Sequence, residues 1–125
     1  MATLETALER FSDALRQPKT EWTRDTAIQR FEFSIELAWK AVAHAARLQG
    51  TECASPRRAW NVAFELGWID DQAVWLDMLE DRNRASHTHR ETTAEQIFAR
   101  LGSYRTAMHG LLQRLREDPS LGAVE

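Results

Sequence analysis

Nine consecutive residues, Asp81-Arg82-Asn83-Arg84-Ala85-Ser86-His87-Thr88-His89, gather two guanidinium groups, an amide, two hydroxyls and two imidazoles. An arginine gives parallel donors to a phosphate and stabilises the charge that builds as a phosphodiester becomes pentavalent. A histidine titrating near neutrality takes a proton from a 2′-hydroxyl or returns one to a leaving oxygen. RNA supplies its own nucleophile, so Arg82 and His87 would need no metal for such a cleavage. Asn83 and Ser86 would orient the substrate and His89 would assist. The competing reading is structural. Arg82 pairs with Glu32 or Glu36 across a helix bundle, and His87 sits at a helix C-terminus, where the dipole favours a cation. The residue types alone leave both readings open.

These side chains need helices to hold them. Leu4, Ala7, Leu8, Phe11, Ala14 and Leu15 recur at helical spacing, with Thr3 as N-cap, and Pro18 ends this first helix. A second helix is expected from about Arg24 to Gln49, stopped by Gly50. Its residues Ile28, Phe31, Ile35, Trp39, Val42 and Ala46 share one face, and Phe33, Leu37, Ala41 and Leu48 fall nearly opposite. Such a helix is covered on two sides, and the second cover is a further helix or a second copy of the chain. Ser55-Pro56 opens a short third helix that Gly67 stops. Asp70 is placed to cap a fourth, with Val74, Trp75, Met78 and Leu79 as its stripe. Extending that helix puts Arg82 on the apolar stripe, with His87 roughly 140° round an ideal helix from it. Thr92 and Glu95 fit a capping box for the fifth helix, whose stripe is Ile97, Leu101, Tyr104, Met108, Leu111 and Leu115. Trp22 and Trp68 are placed as lids over helix ends. The expected architecture is all-α: an up-and-down antiparallel four-helix bundle with one additional short helix. It is a single domain over residues 1–125, with ordered helices from about 3 to 118 and a loose tail over 119–125.

Composition narrows the function. A formal charge of −3 gives no general attraction for a polyanion, so any nucleic acid would be met by a local basic site. One cysteine, Cys53, permits no disulfide within the chain, which suits a reducing cytoplasm. No apolar run approaches the roughly 20 residues of a membrane span. There is no Gly-rich phosphate loop and no cluster of aspartates that would hold two magnesium ions, so the chain is not itself expected to transfer nucleotides. No metal or other cofactor is expected. His44 is placed as a core or interface histidine, and His109 as structural.

Arg30-Phe31-Glu32-Phe33, Glu36-Leu37-Ala38-Trp39-Lys40, Pro56-Arg57, Trp75-Leu76, Asp81-Arg82-Asn83 and Ser86-His87-Thr88 together resemble the nucleotidyltransferase substrate-binding proteins of the HEPN superfamily. The likeness spans about Ala7 to Leu115. It implies a small helical bundle that forms a homodimer and binds a minimal nucleotidyltransferase encoded nearby. It also implies a metal-independent ribonuclease motif, Arg then four to six residues then His, matched by Arg82 and His87. In related toxin–antitoxin pairs the helical chain is the toxin, and the nucleotidyltransferase adds AMP to a tyrosine two residues after that histidine. Here His89 holds the position, and the lone tyrosine is Tyr104. The main expectation is therefore a toxin subunit with RNase chemistry at Arg82 and His87, supported by Asn83, Ser86 and His89. The alternative is a non-catalytic substrate-binding or adaptor subunit of the nucleotidyltransferase.

Overall fold

The computed structural model describes residues 2–87 and 90–121. Its elements are α1 (Ala2–Arg16), α2 (Glu21–Leu48), α3 (Pro56–Glu65), α4 (Gln72–His87) and α5 (Glu91–Glu117), followed by a 3-10 turn over Pro119–Leu121. The described residues hold no strand, and the all-α bundle with a short additional helix is what the apolar periodicities predict. Among them, no helix is long and apolar enough to cross a membrane.

The long α2 packs against each of the other four helices, and α5 packs against α1, α2 and α4. Phe11, Phe31 and Tyr104 bring the first, second and fifth helices together. The Phe31 ring stacks on Tyr104 with centroids 5.3 Å apart, and Phe11 lies 6.3 Å from Phe31. Trp60 and Trp75, 4.6 Å apart, join α3 to α4. Trp68 is buried and donates its indole N–H to Asp118 Oδ2 at 2.8 Å, so the α3–α4 connection closes over the end of α5. Gly50 and Gly67, just past α2 and α3, have φ of 83° and 79°. That left-handed conformation suits glycine at a helix C-terminus.

Several helix starts differ from the sequence reading. Helix α1 already includes Thr3. Helix α2 begins at Glu21, because Thr20 and Thr23 exchange side-chain and backbone hydrogen bonds in a capping box. Asp71, and not Asp70, caps α4 by accepting from the amides of Ala73 and Val74. Asp70 is drawn away by Arg114, at 2.8 and 2.5 Å. The capping box expected from Thr92 and Glu95 does not form. Helix α5 starts at Glu91, and Glu95 turns instead to Arg24 and Lys19. In both cases a cation from another helix takes the carboxylate that the local amides could have used. The tail expected from residue 119 begins with an ordered turn whose Leu121 is buried and whose Ser120 accepts from Gln49 at 2.7 Å. Trp22 is not the lid expected: it is 77% exposed.

Candidate functional site

Helix α4 carries the polar run to its C-terminus, and helical geometry sorts the side chains into three directions. Asp81 and Arg84 turn towards α5, where Arg84 reaches Gln96 at 2.6 Å. Arg82 and Ser86, one turn apart, turn towards α2. Arg82 Nη1 donates to Glu36 Oε2 at 2.8 Å, and Ser86 Oγ donates to Glu32 Oε2 at 3.2 Å. Asn83 and His87 are exposed. His89 lies outside the described residues. The guanidinium expected to hold a phosphate is thus held by a carboxylate. Of the two placements weighed for Arg82, the ion pair with Glu36 is the one found.

The electrostatics follow from burial. Burial pushes the Glu32 carboxyl above the usual range, and the Ser86 hydrogen bond and nearby Arg82 charge only partly offset it. Glu36 also lies 3.7 Å from Lys40. Arg82 keeps 27% of its side-chain surface and Glu36 41%, so their pair is a half-solvated one. Arg82→Ala is accordingly expected to cost about 1 kcal/mol by urea denaturation, and not the several that a sealed ion pair would. Glu32→Gln should leave the protein at least as stable at pH 7. A carboxyl raised in the fold binds protons better there than in the unfolded chain, so its ionised form opposes folding. The gain should fade below about pH 4.3, where Glu32 is protonated in both states.

Beside Glu32 opens a crevice of about 420 Å³ between the N-terminal half of α2 and the start of α5. Trp22, Asp25, Glu32, Ala85, Arg90 and Glu91 are among its walls, and His87 is not. Arg24 lies at its base, 3% exposed, bound by Asp25 at 2.9 Å, by Glu95 at 3.0 Å and by Glu91. No role was expected for Arg24. The visible signal was Glu91 and Glu95 one helical turn apart, a spacing that presents two carboxylates to one cation.

The second cluster missed from sequence is built on Asp81, which is 3% exposed. It accepts from Arg100 Nε at 2.7 Å and Nη2 at 2.8 Å, and from the Tyr104 hydroxyl at 2.6 Å. Burial and the Asp81 charge push the Tyr104 phenol well above its ordinary range. The lone tyrosine is thus sealed and hydrogen-bonded. The remaining candidates are quieter. His44 is exposed, and burial of Cys53 raises its thiol pKa and keeps it protonated. Among the described residues, no group of three or more His, Cys, Asp or Glu could hold a metal ion.

A family model described as nucleotidyltransferase substrate binding protein like matches residues 1–117. The chain belongs to that family. None of the curated proteins matches it. Among solved structures, a protein from Thermus thermophilus is 37% identical and superposes with a TM-score of 0.86, over 91% of this chain and 99% of that one. A Haemophilus influenzae protein, described as revealing the fold of a substrate binding domain of a nucleotidyltransferase, is 22% identical. It superposes with a TM-score of 0.81 over 93% of this chain and 98% of that one. At that identity the second likeness bears on the fold alone.

Proposed function

We propose that this member of the substrate-binding family is a non-catalytic subunit that binds a nucleotidyltransferase and presents substrate to it. The observation that carries the choice of binding over RNA cleavage is the engagement of Arg82 and Ser86 by Glu36 and Glu32. Two carboxylates stand where a phosphodiester would have to enter, and like charge there repels it. The buried hydroxyl of Tyr104, which a modifying enzyme cannot reach, weighs against control of this chain by AMP addition there. The toxin reading would need Arg82 released from Glu36. The subunit works as a homodimer joined along α2, where Phe33 and Leu48 are 59% and 55% exposed and Leu37 and Ala41 lie between them.

The test assays nucleotidyl transfer by a minimal nucleotidyltransferase from the same genome, alone and with the chain added, together with incubation of RNA without metal. The expected result is faster transfer or a lower KM in the mixture, and intact RNA. RNA cleavage that Arg82→Ala and His87→Ala abolish would overturn the proposal, as would transfer that ignores the added chain.

A further inference from the structure

A cleft of about 490 Å³ lies on the far side of the bundle, between α1 and α5. Ser12, Leu15 and Arg16 line it from α1, and Phe98, Gly102 and Arg105 from α5. Its polar end is built on Arg105 and Ser12. The guanidinium groups of Arg24, Arg82, Arg100 and Arg114 each have a carboxylate partner. Arg105 is half-buried, and among the described residues no carboxylate forms an ion pair with it. Its one hydrogen bond described is a long donation from Nη1 to Ser12 Oγ, at 3.5 Å. Ser12 is 7% exposed and its Oγ also lies 3.4 Å from His109 Nε2. Burial, then the charge of Arg105, pushes the His109 imidazole below its ordinary pKa.

A half-desolvated guanidinium without a counter-charge, beside a hydroxyl and an imidazole, is an incomplete electrostatic arrangement. An anion completes it. Phosphate takes two parallel donors from an arginine and accepts from a serine hydroxyl at the same time. The rest of the cleft offers apolar surface from Leu15 and Phe98 beside Arg16. Leu15 and Phe98 form its walls, one side of the Phe98 ring is covered by the Lys19 ammonium at 5.1 Å, and Gly102 leaves the floor clear, with nothing within 4 Å of where a Cβ would stand.

We propose that the α1–α5 cleft binds a small organic phosphate monoester, its phosphoryl group held by Arg105 and Ser12 beside His109 and its organic part lying between Leu15 and Phe98. This site shares no residue with the crevice beside Glu32 and stands whether or not the chain binds a nucleotidyltransferase.

The experiment is an NMR titration of the whole protein, following the His109 imidazole and the Arg105 Nε–H. The probes are phenyl phosphate, inorganic phosphate and phenol, at ionic strength matched with sodium chloride. Phenyl phosphate should shift both signals saturably while the exposed His44 and His87 stay unmoved, and inorganic phosphate should bind several-fold more weakly. Arg105→Gln should lower affinity at least tenfold, since it removes the guanidinium charge and its paired donors. It removes no ion pair, so an unchanged thermal midpoint is expected alongside. A response no larger than that to sodium chloride would overturn the proposal, as would unchanged binding in Arg105→Gln. Inorganic phosphate binding as tightly as the ester would overturn the assignment of an organic ligand.

Discussion

Asp81→Ala should lower the unfolding free energy by about 3 kcal/mol, making it the most damaging change in the polar run. The carboxylate is 3% exposed and accepts three short hydrogen bonds from α5. Removing it orphans the Tyr104 hydroxyl, which cannot swing away because its ring stacks on Phe31. Arg100 keeps 40% of its side-chain surface and can partly rehydrate, which holds the loss at the lower end for a broken buried pair. Tyr104→Phe removes one donor and should cost about 1 kcal/mol, with Asp81→Asn falling between the two. Thermal midpoints should follow the same order, with Asp81→Ala lower by roughly 10 °C. A loss below about 1 kcal/mol in Asp81→Ala would mean that this network does not hold α4 to α5.

The same network has a pH signature. Burial, the largest single influence, pushes the Asp81 carboxyl up, but the Arg100 and Tyr104 hydrogen bonds and the Arg100 and Arg84 charges outweigh it. The result is a carboxyl below its ordinary range. Its stabilisation is present above the unfolded value of about 3.9 and is lost as pH falls through the lower folded value. Wild type should therefore lose more stability between pH 7 and pH 3 than Asp81→Ala does. Equal losses would remove Asp81 as a source of the acid sensitivity.

Phe33→Asp should raise the dimer dissociation constant at least a hundredfold while leaving the fold intact. Phe33, Leu37, Ala41 and Leu48 make one stripe along about 22 Å of α2. An aromatic 59% exposed at one end of such a stripe is the side chain whose burial against a second copy contributes most. An aspartate there must be desolvated without a partner on association, yet it is solvated in the monomer. Light scattering at tens of micromolar should give a dimer for wild type and a monomer for the variant, with matching unfolding midpoints. A wild-type monomer, or a variant that remains dimeric, would place the interface elsewhere or remove it.

Much of this fold could be read from spacing. The apolar stripes of α1, α2 and α5, the stops at Gly50 and Gly67 and the Ser55-Pro56 start all report local geometry, which sequence records directly. Errors fell where one side chain had two suitors. Asp70 was placed as a cap and Glu95 as half of a capping box, but each is claimed by an arginine on another helix, Arg114 and Arg24. Such long-range pairing leaves no local pattern. The candidate site divided in the same way. Helix geometry alone put Arg82 and Ser86 on one face and offered Glu36 as a partner. It could not choose between that carboxylate and a phosphate, because the choice depends on how closely α4 approaches α2. Asp81 was read as one more charge in a polar run because its partners, Arg100 and Tyr104, lie 19 and 23 residues away along the chain.

Light scattering on the purified chain mixed with a minimal nucleotidyltransferase from the same genome tests the central claim most directly. A binding subunit predicts a single peak whose mass is that of a dimer of this chain together with bound enzyme, at micromolar concentration and unaffected by Arg82→Ala. Two separate peaks, each at the mass of one protein alone, would contradict it.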